Sequence, residues 1–364
     1  PEDGGNEVLD ADRMEVYLSQ FNIMTMGNEM KPDALLDMVE TRKQVRATKD
    51  QTVVCTKFDT CIPLLDWAQQ NGMKVHGHTL VWRSQTPTAF FHEDYATHKP
   101  LVSREVMLAR MESYIKQVLT WTNENYPGLI VSWDVVNEAI GDNANEWDAK
   151  DARHLRTIRS GVDNLFKTYV GDDYVEFAFL CAKDTVEKLG ADITLFYNDY
   201  NMFFTDKRQA ALALVESINT YATDENGNYR KLIDGIGMQG YIGGYGKQQD
   251  CLEDSHITRI QASINLYARA GMQVHITEMA VRNFLDDEAT IALHADFYGR
   301  LFEMFKTVNS GENKPLTCVA IWGVMDAPTA TGYNYNLISP YGGLITEKYE
   351  IKTSFDTVHS VMSK

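Results

Sequence analysis

The chain has 364 residues, of which 44% are hydrophobic and 23% charged, and this apolar content is sufficient for a large folded core. Its formal net charge of −17 disfavours binding to nucleic acid or to an anionic membrane surface, since both repel a negative protein. No apolar run approaches the length of a membrane span, and no charged-then-apolar leader opens the chain. We therefore expect no membrane insertion, and we expect that any targeting signal has been removed.

Short apolar runs alternate with longer amphipathic segments along most of the chain. In chain order, the runs that predict β-strands are Phe21–Met26, Lys74–Trp82, Leu129–Asn137, Ile193–Asp199, Ile233–Gln239, Gln273–Glu278 and Cys318–Val324. Apolar residues that recur at three and four positions predict helices at Phe58–Gln70, Ser103–Asn123, Tyr174–Leu189, Asp206–Tyr221, Thr258–Ala270 and Glu288–Val308. Such alternation is typical of βα units around a parallel sheet, and both a (β/α)8 barrel and a pair of doubly wound sheets produce it.

Polar side chains at the strand ends favour the barrel. They are His78 and Trp82, Asn137 and Glu138, Asn198 and Asp199, Gln239 and Tyr241, Glu278, and Trp322. Barrel enzymes place their chemistry at the C-terminal ends of many different strands, so six strands that end alike predict one (β/α)8 TIM barrel over residues 1–364. Its first strand is missing or unrecognisable, because Pro1–Gln20 leads almost directly into a helix.

Two of these strand ends carry a glutamate. Glu138 follows an apolar strand, while Val274, Ile276 and Glu278 alternate on one strand face that runs apolar, apolar, carboxylate. Carboxyls on barrel strand ends converge at one mouth, and a pair about 5–5.5 Å apart is what retaining glycoside hydrolysis requires. The structural alternative is that each glutamate pairs with a nearby Lys or Arg.

The other candidate ligands do not predict a metal site or a cofactor. The five cysteines lack CxxC spacing and the density of a disulfide scaffold, so we interpret them as core thiols. The histidines near the strands show no ligand spacing with the two glutamates. These histidines are His76, His78 and His275.

Six motifs carry a resemblance to a known family. They are "HGHTLVW" with "SQTP" (His76–Pro87), "WDVVNEA" (Trp133–Ala139), "YNDYN" (Tyr197–Asn201), "DGIGMQ" (Asp234–Gln239), "ITE" (Ile276–Glu278) and "WGVMD" (Trp322–Asp326). With these motifs in this order, the chain resembles glycoside hydrolase family 10 over nearly its full length. The enzymes of that family are (β/α)8 barrels, and most are endo-β-1,4-xylanases. The resemblance implies that Glu138 is the general acid/base and Glu278 the nucleophile, with a covalent glycosyl-enzyme between the two steps.

The resemblance also implies a set of sugar-binding residues. Asn137 matches the asparagine that hydrogen-bonds the 2-hydroxyl of the sugar at the cleavage point. Positions that hold the non-reducing-side sugars are matched by Asn28, Lys31, His78, Trp82, Gln85, Gln239 and Trp322. Trp133 is assigned to packing.

Three departures from the family pattern concern the glycone side and the nucleophile. Gly27 stands where a sugar-binding glutamate is expected, so one hydroxyl contact is lost. Tyr241 replaces a histidine and Ala280 an aspartate, and in the family both of these support the nucleophile. We expect the Tyr241 hydroxyl to donate to Glu278 and to keep it ionised, so that activity survives.

These features predict a retaining endo-β-1,4-xylanase, monomeric, with xylan or a related polysaccharide as its partner, located outside the cell, in the periplasm or at the cell surface. Arg83 replaces a histidine and Ala330 lies where a second tryptophan is expected, so the cleft is built differently. Arg83 either meets an acidic sugar substituent or pairs with a local carboxylate. Two other functions stay open: the same mechanism on another β-linked plant glycan, and a weak or inactive carbohydrate-binding barrel.

Overall fold

The computed structural model describes residues 15, 18–142, 147–159, 162–243, 248–326 and 339–364. Ala330 lies outside the described residues, as does most of Pro1–Gln20, where the sequence shows no recognisable first strand. Glu15 and Leu18–Gln20 are helical. None of the helices in the described segments is long and apolar enough to cross a membrane.

Strands and helices alternate along the chain. The strands are β1 Ile23–Thr25, β2 Lys74–Trp82, β3 Ile130–Asn137, β4 Ile158–Arg159, β5 Val162–Asp163, β6 Thr194–Asp199, β7 Gly235–Ile242, β8 Gln273–Val281 and β9 Leu316–Ile321. The helices are Pro32–Leu35, Met38–Thr48, Ile62–Gln70, Arg104–Asn125, Tyr174–Leu189, Thr205–Asn219, Asp254–Arg269, Glu288–Val308 and Thr353–Met362, with shorter helical turns at Thr88–Phe91, Glu93–Tyr95 and Phe166–Val170.

Local signals explain why several predicted boundaries match the structure. The helix Glu288–Val308 begins after Asp287, whose side chain accepts from the backbone N–H of Thr290 at 3.0 Å. The helix Tyr174–Leu189 ends at Gly190, which has a φ of +60° and is suited to this left-handed position. Both helices have the predicted bounds, and the strand β2 does too.

One compact unit comprises residues 2–198 and 209–234. Its sheet runs in the parallel order β1–β2–β3–β6, with Ile23 opposite Lys74, Val75 opposite Ile130 and Ser132 opposite Thr194. The short pair β4–β5 is antiparallel. We call this part the first unit.

The first unit confirms that Trp133 is a packing residue. Its side chain is fully buried, and a Cβ at Gly77 on the neighbouring strand β2 would overlap its ring. Glycine is therefore required at position 77, because the indole occupies the space in which a side chain would lie.

The second unit comprises residues 199–208 and 235–364. Its strands run in the parallel order β7–β8–β9, with Gly235 opposite Gln273 and Val274 opposite Leu316. The strands β7 and β8 continue three residues beyond their predicted ends, to Ile242 and Val281. Hydrogen bonding to the neighbouring strands extends them, and this contribution is absent from the periodicity of a single segment.

Candidate active site

Glu138 directly follows β3 in the first unit. Glu138 is 8% exposed and its backbone has a φ of +55°. Its N–H donates to the carbonyl of Asn198 at 2.9 Å. A left-handed conformation is costly for a residue with a side chain, and such residues cluster at functional sites. The indole Nε1 of Trp82, at the end of β2, donates to Glu138 Oε2 at 3.1 Å. Trp82 therefore contacts the Glu138 carboxylate directly, and the sequence did not predict this contact.

Asn137 is the last residue of β3 and is 2% exposed. The side-chain amide of Asn198, at the same level on β6, donates to Asn137 Oδ1 at 3.1 Å. This bond fixes which end of the Asn137 amide is the oxygen and which is the nitrogen. The Asn137 side chain is thus oriented beside Glu138 before any ligand binds.

Three further predicted residues, Asn28, Lys31 and Gln85, lie together near Trp82 in the first unit. The Lys31 ammonium donates to Asn28 Oδ1 at 3.1 Å, and the Gln85 amide donates to the same oxygen at 3.1 Å. The Lys31 ammonium also lies 5.0 Å from the ring centroid of Trp82. A cation, amides and an indole beside one carboxylate provide the polar and apolar contacts that a sugar requires.

His78, also predicted, is joined to a buried carboxylate that the sequence analysis missed. Asp134 Oδ2 lies 2.7 Å from His78 Nδ1 and 3.0 Å from His76 Nε2. Burial raises the pKa of Asp134, but the charge and hydrogen bonds of His76 and His78 outweigh it and hold that pKa well below its usual range. A carboxylate inside an apolar strand was the available signal for this cluster.

Glu278 lies within β8 in the second unit and has a φ of +50°. Between Ile276 and Met279 the strand β8 contains one residue more than its neighbour β9, and the same excess appears against β7. Glu278 therefore sits in a β-bulge, a feature that redirects a side chain and is frequent beside active sites. The regular alternation expected through Val274, Ile276 and Glu278 is wrong beyond Ile276, because the bulge interrupts it.

The Tyr241 hydroxyl donates to Glu278 Oε2 at 2.5 Å, which confirms the predicted contact. Arg282, absent from the predicted set, is 1% exposed, and its guanidinium carbon lies 5.7 Å from the Tyr241 ring centroid. Its Nη1 donates to the carbonyl of Gly243 at 2.7 Å. The phenol that contacts Glu278 thus lies beside a buried cation.

The remaining predicted residues, Gln239 and Trp322, lie on or just after strands of the second unit. Gln239 is buried in β7, and Trp322 follows β9, where its N–H donates to the carbonyl of Met279 at 2.8 Å.

At Gly27 a Cβ would meet nothing within 4 Å, so the missing glutamate leaves open space. Within the described segments no group of three His, Cys, Asp or Glu side chains is arranged to hold a metal ion.

Solved structures share this fold. The crystallographic structure of the CBM22-1–GH10 modules of Clostridium thermocellum N-terminal endo-1,4-β-D-xylanase 10B, complexed with xylohexaose, has a TM-score of 0.80 at 27% identity and covers 98% of this chain and 64% of that one. TsXylA, an intracellular xylanase from Thermoanaerobacterium saccharolyticum JW/SL-YS485, has a TM-score of 0.73 at 26% identity and covers 97% of this chain and 92% of that one. The fold is the predicted (β/α)8 barrel, with seven of its parallel strands in the described residues.

The model of glycosyl hydrolase family 10 matches residues 4–360, and the chain belongs to this family. A putative endo-1,4-β-xylanase from Caldicellulosiruptor saccharolyticus is 36% identical over 303 residues, which are 82% of this chain and 86% of that protein. Endo-1,4-β-xylanase B from Butyrivibrio fibrisolvens is 32% identical over 313 residues, which are 86% of this chain. The chain spans only 43% of that second relative's length.

Proposed function

We propose that this chain is a retaining endo-β-1,4-xylanase in which Glu138 is the general acid/base and Glu278 the nucleophile. The observation that carries the proposal is a shared arrangement: each glutamate lies just after a strand or in its C-terminal half, has a left-handed backbone, and accepts a hydrogen bond from an aromatic side chain. The substrate class is supported by two relatives named as endo-1,4-β-xylanases, which match more than four fifths of the chain.

The proposed reaction has two steps. In the first, the Glu278 carboxylate attacks the anomeric carbon, the bond to the leaving oxygen breaks, and Glu138 gives its proton to that oxygen. In the second, Glu138 takes a proton from water, whose oxygen attacks the same carbon and releases Glu278. The sugar leaves with its original β configuration, and this mechanism requires carboxyl groups about 5–5.5 Å apart.

The sugar contacts follow the same proposal. Asn137 bonds the 2-hydroxyl at the cleavage point, in a contact that strengthens in the transition state. The glycone sugars are held by Asn28, Lys31, His78, Trp82, Gln85, Gln239 and Trp322. Tyr241 acts on Glu278: its hydroxyl donates to the carboxylate and stabilises the ionised form.

We propose that the chain works as one catalytic domain, 1–364, as a monomer, and outside the cytoplasm in the extracellular space, the periplasm or at the cell surface. A polymer too large to cross a membrane supports this location. TsXylA is described as intracellular, so activity measured in separated medium, periplasm and cytoplasm of the producing cells distinguishes the two cases. Size-exclusion chromatography with light scattering tests the monomer.

The test of function is product analysis of the purified chain on xylan, cellulose, mannan and mixed-linkage β-glucan. We expect short xylo-oligosaccharides from xylan, with the β-anomer as the first product seen by proton NMR. An α-anomer as the first product would refute double displacement. Oligosaccharides released from another polymer, and none from xylan, would refute the xylanase assignment and leave the mechanism in place.

Gly27 favours a second candidate, the same mechanism on a different β-linked plant glycan. The open space around Gly27 lies next to Asn28, within the cluster that we assign to the glycone sugars. A glycan with a side group at that sugar would fit there, whereas a glutamate would fill the space. The same product analysis, extended to substituted xylans and xyloglucan, decides between unsubstituted xylan and such a polymer.

A further inference from the structure

The backbone that follows Glu138 has all its buried N–H groups satisfied by fixed partners. The Glu138 N–H donates to the carbonyl of Asn198 at 2.9 Å. The next two N–H groups, of Ala139 and Ile140, both donate to the hydroxyl of Tyr197 at 2.9 Å. Tyr197 is fully buried, so one phenol oxygen holds two consecutive peptide units.

One residue, Arg156, binds the carbonyl groups of the same segment through its side chain and its backbone. Its Nη2 donates to the carbonyl of Ile140 at 2.8 Å and to Asp142 Oδ2 at 3.2 Å, and its Nε reaches the carbonyl of Glu138 at 3.4 Å. Its backbone N–H donates to the carbonyl of Ala139 at 2.7 Å. Arg156 therefore contacts every carbonyl from Glu138 to Ile140.

The guanidinium of Arg156 has 0% exposure. Burying a cation is costly unless its hydrogen bonds are well made, and only a planar fork with several N–H groups serves two carbonyls and a carboxylate at once. Lysine would keep the charge but provides a single ammonium on a flexible stem. The buried guanidinium contacts the carbonyl of Glu138, whose backbone is left-handed.

We propose that Arg156 and Tyr197 are positioning residues for the acid/base: they hold the Glu138 backbone in the conformation that directs its carboxyl at the leaving oxygen. This inference rests on the proposed role of Glu138. A general acid must lie within hydrogen-bond reach of the oxygen it protonates, and a displacement of about 1 Å costs on the order of 100-fold in rate. Loss of the support should therefore impair proton donation and leave nucleophilic attack largely intact.

The test uses two aryl β-xylobiosides that differ in leaving group. Dinitrophenolate leaves without a proton, whereas phenolate needs one. We expect Arg156→Lys to lower kcat/KM for the phenyl substrate roughly tenfold or more and to change the value for the dinitrophenyl substrate by less than about threefold. Tyr197→Phe should show the same selective loss, larger for the phenyl substrate than for the dinitrophenyl substrate. The burst of dinitrophenolate counts the active sites, so partial unfolding does not imitate the effect.

Arg110 provides the matched control. It also has 0% exposure, and its guanidinium donates to the carbonyls of Gln51 and Phe90 at 2.7 and 2.6 Å, on other loops. Arg110→Lys should change both substrates by the same factor per active site. Equal losses on both substrates for Arg156→Lys, and for Tyr197→Phe if the first variant does not fold, would overturn the inference.

Glu138→Ala separates this failure from failure of the proposed function. If Glu138→Ala discriminates between the two leaving groups and the support variants do not, Glu138 is the acid and its support lies elsewhere. If Glu138→Ala itself shows no preference for the dinitrophenyl substrate, the acid/base assignment is wrong, and the positioning role is wrong with it.

Discussion

Glu138 and Glu278 have the same unusual backbone conformation but are held in different ways. At Glu138 the structure fixes the main chain: Tyr197 and Arg156 bind the peptide groups that follow, and the residue is buried. At Glu278 a β-bulge places the residue on a partly exposed strand position, and the Tyr241 hydroxyl binds the carboxylate oxygen.

The difference matches the two tasks that we assign. An acid/base acts on two different oxygens in succession and depends on where its carboxyl lies, which main-chain support controls. A nucleophile must stay ionised, and a hydrogen bond to the charged carboxylate favours that form. Both carboxylates accept a hydrogen bond from an aromatic side chain, so the main-chain support is the feature particular to Glu138.

Glu278→Ala should have the largest effect. We expect loss of activity on the order of 10⁴-fold or more on both xylan and an activated aryl xyloside, because no leaving group compensates for a missing nucleophile. Retained binding of xylohexaose, measured by calorimetry, serves as the control for folding. Turnover of the aryl substrate at a rate near that of the wild type would contradict the assignment.

Glu138→Ala should have a selective effect. Cleavage of xylan should fall by about 10²–10⁴-fold, the usual contribution of general acid/base catalysis, while glycosyl transfer from a dinitrophenyl substrate should persist. Pre-steady-state kinetics should show a burst, because the second step lacks its base. Equal losses on both substrates would remove the distinction between the two glutamates.

The two regions also differ in how they respond to acid. His294 lies against β8, with its Nε2 3.4 Å from the carbonyl of Val281, and burial together with the charge of Lys352 lowers its pKa to about 4. Between pH 6.5 and about 4 the unfolded chain binds this proton and the folded one does not, so the stability contributed by His294 falls as the pH falls. Asp134, within β3, has a lowered pKa, so the stability that its carboxylate contributes is lost only as the pH falls below its ordinary pKa of 3.8.

We therefore expect His294→Phe to remove about 2 kcal/mol of the loss of stability between pH 7 and pH 4.5. The measurement is urea unfolding at pH 7 and pH 4.5, with the wild type in parallel. Phenylalanine keeps a ring in contact with Tyr298, whose ring centroid lies 5.0 Å from that of His294. An unchanged difference between the two pH values would assign the acid sensitivity to other groups.

Tyr241→Phe tests the charge support at Glu278. A hydrogen bond to a charged group is worth about 1.5–3 kcal/mol, so we expect a loss of roughly tenfold or more in kcat/KM, greatest at low pH. Without the donor Glu278 is protonated more easily, and the acid limb of the pH–rate profile should move to higher pH. Tyr267→Phe is a matched control, since that buried hydroxyl donates to the carbonyl of Met202 at 2.8 Å. An acid limb that stays in place would show that Tyr241 does not tune Glu278.

The sequence predicted the strands, their polar ends and the Tyr241 contact, because these follow from local periodicity and from matched motifs. It did not predict the bulge at Glu278, which depends on the hydrogen-bond register with two neighbouring strands. Nor did it predict Arg156, which lies 18 residues beyond Glu138 and contacts its carbonyl only in the folded protein. Asp134 was not predicted, because its histidine partners lie on β2 and come close to it only when β2 and β3 pair. Interactions that tertiary pairing creates carry weak signals in a single sequence.

Gly27→Glu should have the smallest effect and concerns only the glycone contacts beside Glu138. The open space at Gly27 accommodates a side chain, and one added hydrogen bond to a sugar hydroxyl is worth about 0.5–1.5 kcal/mol. We expect KM for xylohexaose to fall by about two- to tenfold with kcat unchanged, because the contact is made equally in the ground state and the transition state. Gly27→Gln is the control for shape without charge. A higher KM for xylohexaose in both variants would show that a side chain at position 27 obstructs the sugar, and would contradict the expected added contact.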